Sequence, residues 1–157
     1  MNSSSLLKIA ESPRHSSRLA AVQALYQIEQ TQDIYLNVIR SFIDHQFEAL
    51  VQSGHCLPQE AFFKELVEKT FLLKDELDQK IIPHLADNWR LDRVATVLRL
   101  ILRLGVYELT YALTTPESVI INEYVEITKD FFPGKNETSF INKILDALSK
   151  ENRPSLD

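Results

Sequence analysis

Two arginines four residues apart form the first pattern in the sequence that could bind a ligand. Arg14 and Arg18 follow Ser12-Pro13, a pair typical of a helix start, and His15 lies between them. Like charges at this spacing repel, and cations at a helix N-terminus oppose the helix dipole at a cost of about 0.3–1 kcal/mol. A feature that costs stability invites a functional explanation, and these side chains could contact backbone phosphates of a nucleic acid. The structural alternative is a pair of solvated surface arginines.

A second candidate site lies where a loop leads into the last predicted helix. The segment begins with Pro133-Gly134 and continues through Lys135 and Asn136 to Phe140. A helix N-terminus attracts anions, Lys135 adds positive charge, and the ring of Phe140 could stack on a base. The alternative is that Asn136 or Thr138 caps the helix and Phe140 packs into the core.

Two further features allow a binding or a structural interpretation. Tyr26 lies at the edge of a glutamine stripe that includes Gln23, and an amphipathic ring there suits either a protein interface or half-buried packing. Arg99 and Arg103 lie on the polar stripe of the most apolar predicted helix. We interpret these arginines as structural, because buried arginines need acidic partners, such as Glu108, Glu123 or Glu126.

The sequence carries no pattern typical of an enzyme or a metal site. It lacks a glycine-rich phosphate loop, and its acid pairs, such as Asp75-Glu76, are expected on solvated helix faces. The four histidines lack the spacing of a zinc protease; they are His15, His45, His55 and His84. We therefore expect no catalytic residues, no metal and no cofactor.

Composition and charge restrict the partners and the cellular location. The 157 residues carry a net charge of −5, so an anionic ligand must use a local basic patch. A single cysteine, Cys56, excludes a disulfide within the chain and fits a reducing compartment. No apolar run approaches the roughly 20 residues that span a bilayer, and the N-terminus lacks the features of a signal peptide. We expect a cytoplasmic protein without a membrane partner.

Hydrophobic spacing at helical period predicts an all-α fold. Residues 1–12 are expected to form a flexible tail, and residues 151–157 a polar C-terminal tail. Gly105 lies inside the most apolar helix, where it costs about 1 kcal/mol relative to alanine, and this predicts close approach of another helix. The predicted helices cover residues 13–30, 34–52, 59–82, 91–113 and 116–132, with a last helix from about 136 to 151.

Four motifs together resemble the NusB family. They are Ala-Val-Gln-Ala-Leu-Tyr at 21–26 after the basic residues 14–18, Leu-Arg-Leu-Gly-Val-Tyr-Glu-Leu at 102–109, the aliphatic-Asn-Glu segment at 116–123, and Phe-Ile-Asn-Lys-Ile-Leu-Asp at 140–146. Their order and spacing match the family over about residues 13–150. The resemblance implies about seven helices in two small subdomains, near residues 13–83 and 84–150.

The resemblance also implies a function. The family consists of non-catalytic transcription antitermination factors that act on ribosomal RNA operons. They bind boxA RNA together with NusE, a small-subunit ribosomal protein, in an antitermination complex on RNA polymerase. The RNA-contacting positions of the family fall here on Arg14, His15, Arg18, Gln23, Lys135, Asn136 and Phe140. Tyr26 corresponds to a tyrosine at the family's NusE interface.

This sequence departs from the family pattern at three places. Ser16 and Ser17 stand among the basic residues, so the arginine cluster is thinner. Leu98 stands near the expected NusE contact, where the family often has an acid. Lys143 replaces a glycine in the last helix.

Two alternatives stay open at the level of the sequence. One is a fragment of a ribosomal RNA cytosine methyltransferase that carries a NusB-like domain, although the chain up to Asp157 shows no cofactor-binding βα segment. The other is a helical protein-interaction module that has lost RNA binding, which fits the acidic net charge.

Overall fold

A computed structural model describes residues 12–153, which contain helices and no strand. The predicted all-α fold is confirmed. The chain divides into two compact units, and the boundary falls between Phe71 and Leu72. The sequence placed this boundary near residue 83, whereas the structure groups residues 72–83 with the second unit. Apart from Ser12, the predicted N-terminal tail lies outside the described residues.

From Ser12 onward, the first unit contains four α-helices and one π-helical segment. They are α1 (Pro13–Thr31), α2 (Tyr35–Ser41), α3 (Phe47–Gln52) and α4 (Glu60–Leu72), with the π-helical segment at Phe42–Gln46. The π-helical segment joins α2 to α3, so the helix predicted over residues 34–52 is continuous. Gly54 follows it with a φ of 99°, the left-handed conformation that glycine adopts readily after a helix end.

Helix α1 is buried nearly all round in its N-terminal half. Its start is capped as the sequence predicted, because the backbone N–H of His15 donates to Oγ of Ser12 at 3.3 Å. Every residue from 15 to 22 is buried. The side chains at the start of this helix therefore belong mainly to the interior.

Aromatic rings form much of the core of the first unit. Phe63 is fully buried, and its ring centroid lies 5.9 Å from that of Phe42 and 5.0 Å from that of Phe47. The second contact is edge-to-face, the arrangement that the ring quadrupoles favour. These contacts fix α4 against the continuous helix that contains the π-helical segment.

Up to residue 153, the second unit contains four α-helices. They are α5 (Lys74–Ile81), α6 (Thr96–Tyr111), α7 (Glu117–Phe131) and α8 (Lys135–Asn152), with 3-10 turns at Ile82–His84 and Leu91–Arg93. The single helix predicted over residues 59–82 is wrong, because the helix breaks at Leu73. Neither Gly nor Pro marks this break. It falls beside the boundary between the two units. None of the helices in the described part is long and apolar enough to cross a membrane.

Helix α6 lies at the centre of the second unit and is packed closely by α8. A Cβ atom added to Gly105 would lie 2.8 Å from Cδ1 and 2.9 Å from Cδ2 of Leu145. Real Cβ atoms do not approach other carbon atoms so closely, and Leu145 is fully buried. The close helix approach that Gly105 predicted is confirmed.

Replacing Gly105 by valine should destabilise the protein by about 1–3 kcal/mol, because the added methyl groups overpack the α6–α8 contact. Thermal unfolding followed by circular dichroism measures the change. In the double variant with Leu145→Ala, the space vacated by the leucine should restore part of the loss. A double variant as unstable as the sum of the single variants would contradict this packing explanation.

The two arginines on the polar stripe of α6 have structural roles, as the sequence predicted. Arg103 donates from Nε to Oδ1 of Asp78 at 2.7 Å and from Nη2 to Oδ2 at 2.9 Å. Arg99 donates from Nη1 to the carbonyl oxygen of Val94 at 3.0 Å. The proposed acids were wrong for Arg103, because α5 packs against α6 and brings Asp78 to it. Those acids were Glu108, Glu123 and Glu126.

Two other polar contacts hold α6 in place. Glu108 is fully buried, and its carboxylate accepts a hydrogen bond from the hydroxyl of Tyr124 on α7. At the end of α6, the phenol of Tyr111 donates to the carboxylate of Glu76 on α5. This hydrogen bond to a carboxylate raises the pKa of Tyr111 above its ordinary value of 10.0.

The C-terminal end of α6 is capped by a side chain from the end of the described chain. The guanidinium of Arg153 donates to the carbonyl oxygens of Leu109 at 3.0 Å, Ala112 at 2.7 Å and Thr115 at 2.6 Å. A fourth bond reaches the carbonyl of Glu108 at 3.2 Å. The predicted start of the C-terminal tail at residue 151 is thus wrong. Helix α8 runs to Asn152, and residues 154–157 lie outside the described part.

Candidate functional site

At the start of α1, Arg14 is held over an aromatic ring and stays exposed. Its guanidinium carbon lies 3.7 Å from the ring centroid of Phe62 on α4, which is cation–π geometry. Its Nη1 also donates to Oε1 of Gln59 at 3.5 Å. The guanidinium is thus positioned by α4 and remains accessible to an anion such as a phosphate.

The structure differs from the predicted basic cluster mainly at Arg18, which is buried. Only 1% of its surface is exposed, and its guanidinium carbon lies 5.1 Å from the same Phe62 ring. His15 is also buried. The expectation of two solvated arginines that pack little is wrong for Arg18, because the helix turn after Arg14 enters the core. Within this cluster, Arg14 is the exposed cation.

The two serines of the cluster have a structural explanation. Ser17 Oγ accepts from the backbone N–H of Gln59 at 2.7 Å and donates to the carbonyl of Pro13 at 2.7 Å. Ser16 is fully buried as well. The serines therefore do not take the place of surface arginines. They lie in the interior, where α1 meets the start of α4 and small side chains are needed. No pattern in the sequence indicates that the ring of Phe62 would contact two arginines.

The loop before α8 places backbone N–H groups beside exposed polar side chains. Gly134 is the N-cap and has no side chain to satisfy the first N–H groups of the helix. Lys135 and Asn136 are exposed. The alternative that Asn136 or Thr138 caps the helix is therefore wrong. Glu137 lies close by, with Oε1 at 3.2 Å from the position of a Cβ on Gly134, so part of this helix end already faces a carboxylate.

Phe140 is a surface aromatic residue rather than a core residue. It is half-buried, and its ring lies 5.4 Å from the ring of Trp89 at an interplanar angle of 30°. Trp89 is 52% exposed. Trp89 was not among the candidate residues that the sequence indicated. The signal that could have identified it is a lone tryptophan in a polar loop, because such a ring must find a surface partner.

The two predicted partner-binding residues differ in exposure. Tyr26 is 42% exposed, which agrees with a position on an interface, and Gln23 on the same helix is half-buried. Leu98 retains only 9% exposure, because its apolar side chain packs into the core of the second unit. A partner would meet little of Leu98.

Among residues 12–153, no group of three or more His, Cys, Asp or Glu side chains could hold a metal ion.

Exposed cationic and aromatic side chains on an all-helical scaffold are features of nucleic-acid-binding proteins. The model of the NusB family matches residues 15–150. The chain belongs to the NusB family.

Relatives and solved structures agree with this assignment. The chain is 43% identical to the transcription antitermination protein NusB of Caulobacter vibrioides, over 90% of this chain and 95% of that protein. It is 36% identical to NusB of Sphingopyxis alaskensis, over 89% and 94%. T. maritima NusB superimposes with a TM-score of 0.73 at 28% identity, over 92% of this chain and 95% of that one. These names describe transcription factors and not enzymes, in agreement with the expectation of a non-catalytic protein.

A further structural match includes ligands of the relative. Its solved structure contains the antitermination factors NusB and NusE in complex with double-stranded RNA. The TM-score is 0.68 at 25% identity, over 88% of this chain and 97% of that one.

Proposed function

We propose that this chain is a transcription antitermination factor that binds RNA together with a NusE-type ribosomal protein. The observation that carries the proposal is 43% identity to a transcription antitermination protein NusB over nearly the full length of both chains. The match to a NusB–NusE–RNA complex supports RNA and NusE as partners. We extend the proposal to boxA-type RNA of ribosomal RNA operons, to an antitermination complex on RNA polymerase, and to the cytoplasm.

The exposed side chains divide between the two partners. We assign RNA contacts to Arg14 in the first unit and to Lys135, Asn136 and Phe140 in the second unit, because all four are exposed or half-buried. We assign the NusE contact to Tyr26. Three further predicted RNA residues are buried or half-buried, and we propose that they support the surface from beneath; they are His15, Arg18 and Gln23.

The proposal is tested with fluorescence anisotropy of a labelled boxA RNA and a scrambled control. The protein is titrated with and without NusE at two salt concentrations. Selective binding that tightens with NusE and weakens with salt is expected, because phosphate contacts release counterions. Absence of RNA binding in every condition would refute the RNA part of the proposal.

Replacing Arg14 by alanine should weaken RNA binding and reduce the slope of log affinity against log salt by about 1, since one phosphate contact is removed. Stability should fall by about 0.5–1 kcal/mol at most, the value of an exposed cation–π contact. Arg40→Ala is the matched control, because Arg40 is also exposed on the first unit. Equal effects of the two substitutions on RNA affinity would argue against a specific role of Arg14.

A protein-interaction module without RNA binding is the second candidate function. The burial of Arg18 favours it, because that burial leaves the start of α1 with fewer exposed cations than the sequence suggested. In the same titration, NusE binding without detectable RNA binding would select this alternative.

A further inference from the structure

The most unusual exposed residue of the second unit is Trp89. More than half of its surface is accessible, although tryptophan is the largest amphipathic side chain. It is not a loose residue, because its backbone N–H donates to the carbonyl of Ala86 at 2.8 Å and its ring stacks on Phe140. Packing of the two rings explains the contact but leaves half of the tryptophan surface unexplained. An exposed ring that is backed by a second ring is suited to contact a ligand.

The side chains around the ring pair indicate the chemistry of that ligand. Asn136 and Lys143 lie four residues before and three residues after Phe140, so all three share one face of α8. Both polar residues are exposed. An amide that can donate and accept hydrogen bonds, a cation and an aromatic surface together match a base and its phosphate.

Charged side chains also lie next to Trp89 in the chain, among them the exposed carboxylate of Asp87. Arg93 is exposed four residues after Trp89, whereas Arg90 is held by Asp92, with Nε to Oδ1 at 3.2 Å and Nη2 to Oδ2 at 3.0 Å. The neutralised Arg90 leaves Arg93 and Lys143 as exposed cations of this region. An anionic, aromatic ligand is thus favoured over an apolar peptide.

We propose that Trp89, supported by Phe140, is a stacking platform for an unpaired RNA base. This inference rests on the proposed RNA-binding function. It adds Trp89 as a contact residue and an unpaired conformation of the RNA at that contact. Paired bases in an A-form duplex are stacked on their neighbours and do not offer a face, so the RNA must be single-stranded or flipped at this point. Stacking of this kind tolerates different bases, because every base has an aromatic face.

The chain offers a direct reporter, because Trp89 is its only tryptophan. Titration of the intact protein with single-stranded boxA RNA should quench its tryptophan fluorescence, whereas a fully paired duplex of the same sequence should change it little. Trp89→Leu should weaken single-strand binding by roughly 5- to 150-fold, the range of one base–aromatic contact. Trp89→Phe should retain most of the affinity, since it keeps an aromatic face. Leu113→Ala, another exposed apolar residue of the second unit, is the control.

The outcomes separate this inference from the proposed function. If Arg14→Ala weakens RNA binding and Trp89→Leu does not, the stacking role is overturned and the proposed function stands. Equal losses for single strand and duplex, or a loss confined to NusE binding, would also overturn it. If the wild-type protein binds no RNA, the proposed function and this inference both fail. Circular dichroism of each variant verifies that the fold is retained.

Discussion

Replacing Arg18 by alanine will lower the melting temperature substantially, whereas replacing Arg14 will change it little. Arg18 is 1% exposed and is the largest of the fully buried side chains in the described part of the chain. Its removal takes away the long apolar stem, the cation–π contact with Phe62 and a buried positive charge. We expect a loss of about 2–4 kcal/mol, measured by thermal or urea unfolding.

Arg14 provides a matched control, since it is the same residue type on the same helix and contacts the same ring. A second variant, Arg18→Met, keeps most of the volume and removes the charge. If methionine restores most of the stability, packing of the stem dominates; if it does not, the charge dominates. A melting temperature of Arg18→Ala equal to that of wild type would contradict the burial of this residue. Arg18 would then again be a candidate for direct contact with RNA.

This pair of arginines shows how far the sequence could predict the candidate site. Residue types and spacing placed both arginines on the same end of α1, and the structure agrees. Exposure depends on which elements surround the helix, and nothing in residues 13–31 shows that Phe62 of α4 and the preceding Gln59 lie there. Local patterns therefore predicted the cluster but could not divide it into an exposed and a buried arginine.

The fold was predicted more completely than the site, for the same physical reason. Helical periodicity and the Ser12-Pro13 start are encoded by residues close in sequence, and both are confirmed. Gly105 also predicted a helix contact correctly, because a costly glycine needs a steric reason. The break at Leu73 could not be predicted, since apolar spacing continues through it.

The aromatic pair illustrates the same limit between elements. Phe140 was identified as a core or a stacking residue, and only its partner decides between them. Trp89 lies about 50 residues earlier in the sequence, in a turn between two 3-10 segments, so no local pattern connects the two rings. Contacts between side chains that are distant in sequence are therefore the features of this chain that local patterns predict least well.

The second large effect is expected at Arg153, whose guanidinium caps α6. The last carbonyl groups of a helix lack partners within the helix and carry a partial negative charge. Arg153 satisfies four carbonyl oxygens in this region, from Glu108 to Thr115, and places a positive charge at the negative end of the helix dipole. Hydrogen bonds from a charged donor contribute about 1.5–3 kcal/mol each, although water replaces part of them at a half-buried site.

Replacing Arg153 by alanine should therefore destabilise the protein by about 2–3 kcal/mol, measured by thermal unfolding. Arg153→Lys should recover little of this, because a point charge cannot reach several carbonyls as the planar fork does. Lys150→Ala is the control; Lys150 is exposed near the same end of α8, and its ion pair with Asp146 at 3.3 Å should contribute less than about 1 kcal/mol. If Arg153→Ala and Lys150→Ala have the same melting temperature, the cap has no measurable effect on stability. If Arg153→Ala melts well below the control, the end of α8 is an integral part of the second unit, and α6 depends on it.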